Sequence, residues 1–148
     1  MKNYKYINRL KVDLSFGIAS EINLLDTFKT FFNDQTLVRT INNSIFDFEG
    51  DNLLIELKTR TNTKDKYPDT MIGVNKIKKA NVLYKKNLEM QVYFVFCFTD
   101  GLYYWKYDPT LNLRVDQGGR TDRGRLEIKS YAFIEVDLLT KLEIPTLL

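Results

Sequence analysis

The apolar residues near the start of the chain follow a helical period. From Ser15 or Gly17 to about Asn33 they recur at steps of three and four residues, which predicts an amphipathic helix. The stripe consists of Ile18, Ile22, Leu25, Phe28 and Phe32. Residues 35–41 then predict a short strand that leads into a more informative stretch.

The stretch Ile45–Arg60, IFDFEGDNLLIELKTR, predicts a β-hairpin. A Gly-Asp-Asn sequence separates two runs rich in apolar residues, as expected of a tight turn. With the turn centred on Gly50-Asp51, Asp47 lies opposite Leu54. A three-residue turn would shift the register and place Asp47 on the other face.

Side chains alternate between the two faces of a strand, so Leu54, Glu56 and Lys58 share one face of the second strand. Asp47 points to that same side and lies diagonally from Glu56, with about 7 Å between the two backbones. The opposite face is apolar and consists of Leu53, Ile55 and Leu57. The hairpin therefore predicts two carboxylates and an ammonium group close together.

The rest of the chain alternates polar segments with helical or apolar ones. In chain order it predicts a polar loop at 59–70, a helix from about Thr70 to Asn87, a buried central strand at 91–99 and a partner strand at 102–107. It then predicts a Gly- and Arg-rich loop or hairpin at 108–125, one or two strands at 126–136 and a short helix at 138–142 capped by Asp137. This order predicts an α/β fold with a central mixed β-sheet flanked by helices.

Length and composition predict one soluble domain over residues 1–148. The chain has 148 residues, of which 44% are hydrophobic and 28% charged, as in ordinary globular proteins. Residues 1–14 are basic and aromatic, which an arm, an edge strand or a dimer contact would each explain. Because no segment looks like a signal peptide or a membrane span, we expect a cytoplasmic protein without a membrane partner.

The residues that are absent exclude several kinds of active site. The chain has no histidine, which excludes His-dependent triads and imidazole-based nucleases. Its one cysteine, Cys97, lies in the apolar strand and is interpreted as a buried core thiol. An enzyme of this composition would work mainly with carboxylates, lysine and a hard metal ion.

Asp47, Glu56 and Lys58 match the needs of phosphodiester hydrolysis. Mg²⁺ takes oxygen ligands, usually one or two carboxylates together with water and substrate phosphate. Such an ion lowers the pKa of bound water and stabilises charge on the phosphate, and an ammonium group beside it can steady the attacking water. The alternative is a solvated strand face with one ion pair.

Basic residues are concentrated after the hairpin. Residues 58–86 hold nine Lys and Arg against two Asp, a local charge of +7 in a chain whose total is +3. This polarity predicts a surface that binds nucleic-acid phosphates, whereas a solvated helix face would account for Lys85 and Lys86. The candidate contacts are Arg60, Lys64, Lys66, Tyr67, Lys76, Arg120, Arg123 and Arg125.

Glu21 falls in the apolar stripe of the first helix, between Leu25 and Phe28. A carboxylate that faces a core is costly unless it is paired or binds a metal. A buried Arg or Lys, or a helix end open to water, would account for it as well as a metal would.

The spacing of Asp47, eight residues and then Glu56-Leu57-Lys58 resembles the signature of the PD-(D/E)XK nuclease superfamily. Phe46 stands where that signature has proline. The resemblance covers roughly residues 15–107 and implies a restriction-endonuclease-like core. It also implies that Asp47, Glu56 and the Leu57 carbonyl bind Mg²⁺ or Mn²⁺, that Glu21 contributes to metal binding, and that Lys58 is catalytic.

The resemblance implies a metal-dependent endonuclease acting on DNA, with RNA not excluded. A small chain without a separate recognition region suits branched DNA or junctions, which would require a homodimer with two sites. The alternatives are a non-catalytic nucleic-acid-binding module on the same fold, or a structural domain whose acids merely pair with lysines.

Overall fold

A computed structural model describes residues 24–41, 44–120 and 127–143, with the backbone alone at 118–120, 127 and 128. The described helices are α1, residues 24–31, and α2, Val74–Lys86. The strands are β1 Val38–Arg39, β2 Phe48–Glu49, β3 Leu53–Thr59, β4 Asp69–Gly73, β5 Gln91–Phe98, β6 Gly101–Lys106, β7 Arg114–Arg120, β8 Glu127–Glu135 and β9 Thr140–Lys141. Short 3-10 turns occupy Lys64–Lys66 and Val136–Leu138.

The main sheet has six strands in the order β1-β2-β3-β5-β6-β9. Strands β3 and β5 are parallel and the other pairs are antiparallel, so the predicted α/β fold with a mixed sheet is confirmed. The helix α2 connects the parallel pair, as a crossover between parallel strands requires. No helix within the described ranges is long and apolar enough to cross a bilayer.

Apolar side chains cover both faces of the main sheet. On one face Phe28 of α1 packs with Phe48, Ile55 and Val95. On the other face a second cluster joins the sheet to Ala80 of α2 and to the strands β4 and β8; its sheet residues include Leu54, Phe94 and Phe96. Side chains of β5 are buried on both faces of the sheet, which explains why its sequence is apolar at nearly every position.

A second sheet of three strands, in the order β4-β8-β7, packs on the α2 side. The predicted helix start at Thr70 is wrong, because residues 69–73 form β4 and α2 begins at Val74. The reason is a period of two in burial: Thr70 and Ile72 are buried while Met71 is 40% exposed.

The predicted helix at 138–142 is also wrong. A 3-10 turn ends at Leu138, and Thr140–Lys141 forms β9, which adds to the open edge of β6. Leu142 continues this pairing, since its N–H donates to the Leu102 carbonyl at 2.9 Å. The strand predicted at 35–41 is shortened to the two residues of β1.

The β2–β3 hairpin forms in a register shifted by two residues from the expected one. Phe48 pairs with Ile55 and Glu49 with Leu54, so the turn centres on Asp51-Asn52 instead of Gly50-Asp51. A shift of two keeps every side chain on its expected face. The prediction that Asp47 and Glu56 lie on the same side therefore survives the wrong turn.

Gly50 explains the shift, because its missing side chain is used for close packing. A Cβ at this position would lie 2.5 Å from Asp34 Oδ2. Asp34 is held there by Thr36, whose backbone N–H donates to Asp34 Oδ1 at 2.8 Å. Thr36 Oγ1 in turn accepts the Asp51 N–H at 2.9 Å, which ties the loop before β1 to the hairpin turn.

The hairpin is also tied to α2 at the far end of the helix. The Asn87 side chain donates to Asn52 Oδ1 at 3.1 Å. The Asn52 carbonyl accepts the N–H of Gln91 at 2.9 Å. The turn between β2 and β3 thus contacts both the end of α2 and the start of β5.

We expect Gly50→Ala to destabilise the protein by about 1 kcal/mol, because the new Cβ displaces Asp34 and breaks its bonds to Thr36. Chemical denaturation of the purified protein measures this loss. In an Asp34→Ala background the same substitution should cost much less. An equal cost in both backgrounds would contradict the packing explanation.

Candidate active site

Glu56 occupies the centre of a charged cluster between β3 and α2. Its side chain is 2% exposed, although it carries a carboxylate. Two ammonium groups contact the same oxygen: Lys58 Nζ lies 3.3 Å and Lys76 Nζ 3.1 Å from Glu56 Oε2. Glu56 and Lys58 are thus in contact, as predicted, and Lys76 contacts the same carboxylate.

The other oxygen of Glu56 is buried without a partner in the described part of the chain. Oε1 has no hydrogen bond to any of the described residues. An unpartnered buried carboxylate oxygen is costly, and such an oxygen marks a place where an ion or water can be bound. This oxygen is therefore available for a ligand.

Asp47 lies beside Glu56 because it bonds to the β3 backbone on both sides of it. The Asp47 N–H donates to the Ile55 carbonyl at 3.0 Å. The Asp47 carboxylate accepts the Leu57 N–H at 2.7 Å through Oδ2. The side chain thus takes the place of a main-chain acceptor just before β2 begins.

The surroundings raise the pKa of Glu56 from its ordinary value of 4.5 to about 7. Burial is the largest cause, because it penalises the charged form. The charge of Asp47, and a hydrogen bond with it that the neutral acid makes, raise the pKa further, while Lys58 and Lys76 lower it. Glu56 therefore exchanges protons near neutral pH in the protein without metal.

The residues fit a hard divalent cation. Within the described ranges no group of three or more acidic, His or Cys side chains converges, and Glu21, the third expected acid, lies outside those ranges. Two carboxylates are nevertheless a common protein contribution to a Mg²⁺ site. The fit rests on the ionised form of Glu56, which neighbours Asp47 and whose Oε1 has no partner among the described residues.

The predicted nucleic-acid contacts fall into different environments. Arg60 donates from Nε to Thr70 Oγ1 at 3.3 Å and from its NH2 group to the Met71 carbonyl, so it ties β3 to β4. Lys64 is 16% exposed and lies 3.1 Å from Asp65. Lys66 and Tyr67 are exposed, with the ammonium 5.5 Å from the ring centre, and remain open to a ligand.

The predicted Gly- and Arg-rich hairpin has the form of a two-stranded ribbon. The last pair of β4 and β8 joins Gly73 to Tyr131. The pairing of β7 with β8 continues four residues further, from Gln117↔Ser130 to Arg120↔Glu127. This ribbon leaves the second sheet at the end where α2 begins, which is also the end that carries Lys76. Arg123 and Arg125 lie outside the described residues.

The sequence predicts that Lys76 reaches towards the site and contacts phosphate. The structure places its ammonium group in the site, on Glu56 and on the Ile45 carbonyl, two contacts that the sequence did not predict. The sequence signal for its place in the site was its position on the predicted second helix, at the border between the apolar face and the lysine-rich face. The contact of Arg60 with β4 had no signal, because β4 itself was not predicted.

We expect the stability of Glu56→Gln, measured against wild type in EDTA, to improve as pH rises from about 5 to 8. An acid whose pKa is higher in the folded than in the unfolded protein loses folded-state stability as pH passes from 4.5 through 7. Glutamine does not titrate, so the variant keeps its stability over this range. A Glu56 pKa of about 7 limits the loss in the wild type to ~3 kcal/mol. Urea denaturation at several pH values measures the difference, and Glu49→Gln, an exposed carboxyl of the same hairpin, is the matched control. A difference that stays constant over this range would contradict the burial of Glu56.

A family model described as "Phage putative PDDEXK endonuclease" matches residues 32–142. The match contains Asp47, Glu56, Lys58 and Lys76 as well as both sheets. No curated protein and no solved structure matches the chain significantly. Since the match covers most of the 148 residues, the resemblance seen in the sequence is confirmed, and the chain belongs to the PD-(D/E)XK endonuclease family.

Proposed function

We propose that this protein is a metal-dependent endonuclease that hydrolyses phosphodiester bonds of DNA. Family membership supports a nuclease, and hence a nucleic-acid substrate. The observation that supports metal dependence is the buried Glu56 next to Asp47: one of its oxygens contacts two lysines, and the other has no partner among the described residues. A carboxylate that served only as a structural ion-pair partner would have no need of a free buried oxygen.

Asp47 and Glu56 would hold Mg²⁺ or Mn²⁺, and the resemblance adds the Leu57 carbonyl and Glu21. The ion would supply a water of lowered pKa and stabilise charge on the phosphate. Asp47 is well suited to a fixed role, because its bonds to Ile55 and Leu57 hold its carboxylate against β3.

Lys58 is the residue of the cluster best placed to act on the reacting groups. Its side chain is 35% exposed and its ammonium group lies 3.3 Å from Glu56. It can therefore turn from Glu56 towards solvent and position the attacking water or stabilise the charge of the phosphate. An ammonium group acts there as a compact donor of charge and hydrogen bonds.

The basic ribbon and the exposed pair Lys66 and Tyr67 support DNA as the substrate. Arg120 belongs to β7, and Arg123, Arg125 and the exposed Lys129 belong to the same sequence segment. A two-stranded β-ribbon fits the major groove of B-DNA. Selectivity for branched DNA is the finer form of this proposal, and it requires a homodimer to supply two sites.

A non-catalytic nucleic-acid-binding module is the second candidate. Glu56 is already compensated by Lys58 and Lys76, so the cluster can persist without metal. This candidate predicts tight binding of DNA and no cleavage whichever ion is supplied.

We expect wild-type protein with Mg²⁺ or Mn²⁺ to cut labelled DNA, and EDTA to abolish cutting. Asp47→Asn should lower the cleavage rate about 100-fold or more, because it removes a charged ligand at no cost in volume. Glu49→Gln, on the same hairpin but exposed, should leave the rate within about twofold of wild type. Linear duplex, single-stranded and four-way-junction DNA are compared in the same gel assay, which also assigns the subtype.

Two results would contradict the proposal. Cutting that continues at the wild-type rate in Asp47→Asn would exclude this site. Binding without cutting by the wild type, in either ion, would favour the non-catalytic module.

We expect a triple Ala variant of Arg120, Arg123 and Arg125 to bind DNA more weakly and with a smaller salt dependence. Each lost phosphate contact lowers the slope of log K against log[salt] by about 0.9, so three contacts lower it by about 2.7. Fluorescence anisotropy at several salt concentrations measures the slope. A Lys85→Ala and Lys86→Ala double variant, on the solvated end of α2, is the control. An unchanged salt slope in the triple variant would show that these three arginines do not contact DNA phosphates.

A further inference from the structure

Lys76 is held by two acceptors from two different segments. It lies in the first turn of α2, and its side chain is 20% exposed. Its ammonium group is 3.1 Å from Glu56 Oε2 and also donates to the backbone carbonyl of Ile45. Ile45 is two residues before Asp47, and Glu56 lies in β3. The Lys76 side chain therefore links α2, β3 and the segment that carries Asp47.

Lys58 and Lys76 share Glu56 Oε2 but differ in their freedom. Lys58 is 35% exposed and has Glu56 as its ion-pair partner within the described ranges. Lys76 is more enclosed and has the additional backbone acceptor. Of the two lysines, Lys58 can leave Glu56 at the lower cost.

A charged carboxylate in a buried position is costly when it loses its ion-pair partners. When Lys58 turns towards substrate, Glu56 Oε2 would lose one of its two contacts, and breaking a buried pair without replacement is strongly unfavourable. Lys76 remains in place because the Ile45 carbonyl also holds it. The carboxylate thereby keeps Oε2 on the lysine side and Oε1 as the free oxygen.

We propose that Lys76 is a positioning residue for the cleavage reaction: it holds Glu56 and the segment before Asp47 in place, which frees Lys58 to act on water and phosphate. This role rests on the proposed endonuclease function. It differs from a phosphate contact, because an ammonium group has three donors and two of those of Lys76 already point to acceptors inside the protein.

The test separates the rate of cutting from the affinity for DNA. Lys76→Met keeps the length of the side chain and removes the charge, and Lys85→Met on the exposed part of the same helix is the matched control. Cleavage kinetics with Mg²⁺ give kcat and KM. Anisotropy in EDTA at several salt concentrations gives the DNA affinity and its salt slope.

We expect Lys76→Met to lower kcat by about 10- to 100-fold, the usual effect of losing a group that orients a ligand. KM, the DNA affinity and the salt slope should stay within about twofold of wild type, and Lys85→Met should leave kcat unchanged. Lys76→Arg is made alongside: it keeps a charged donor and should lose less of kcat than Lys76→Met.

A double-mutant cycle tests the contact without any cleavage. Lys76→Met should lower the folding equilibrium constant in the wild-type background about fivefold more than in a Glu56→Gln background. Additive effects of the two substitutions would overturn the proposal, because Lys76 would then not act through Glu56.

The kinetic outcomes are equally decisive. Weaker DNA binding by Lys76→Met, with a salt slope reduced by about one, would make Lys76 a phosphate contact and overturn the role. An unchanged kcat in Lys76→Met, beside a wild type that cuts, would overturn this role alone. A wild type that cuts no DNA would overturn the proposed function and this role with it.

Discussion

A carboxylate buried in a protein core has to be compensated, and the arrangement around Glu56 follows from that requirement. An ionised side chain removed from water is tolerated only when other charges and hydrogen bonds replace its hydration. Here Lys58 comes from the same strand and Lys76 from α2. The position of α2 against β3 is thus tied to the charge of Glu56 as well as to the apolar cluster around Ala80.

The surroundings of Glu56 act on its two protonation states in opposite directions. Two lysines on one oxygen favour the charged form, whereas burial and Asp47 favour the neutral form. One oxygen of Glu56 is also buried without a hydrogen-bond partner among the described residues. A core that served stability alone would not retain such an oxygen. Its presence therefore supports a functional role for Glu56.

Much of this site could be predicted from local pattern. The alternation along β3 assigned Leu54 and Glu56 to one face and Ile55 to the other, and the two apolar clusters contain Leu54 and Ile55 as expected. The long apolar run of β5 likewise predicted a central strand. These features depend on neighbours in sequence, where the period of a strand or helix is reliable.

Features that depend on distant contacts could not be predicted. The turn moved by one position because Gly50 packs against Asp34, sixteen positions earlier in the chain. Residues 69–73 resembled the start of a helix, yet they pair with β8, a strand near the end of the chain. Lys76 could be assigned to Glu56 only once α2 was placed beside β3. In each case the deciding partner lies far away in sequence, and no local period reports it.

The attachment of α2 to the hairpin at both of its ends has a consequence for how the enzyme meets its substrate. Lys76 binds Ile45 and Glu56 at one end, and Asn87 binds Asn52 at the other. A helix anchored at both ends cannot tilt away from the hairpin without breaking at least one of these attachments. The relative positions of Asp47, Glu56 and Lys76 are therefore set in the protein without nucleic acid, so that binding energy need not be spent on assembling them. Under the proposed function, conformational adjustment to the shape of a nucleic acid would fall instead to the ribbon, in which β7 and β8 pair for four residues beyond the end of β4.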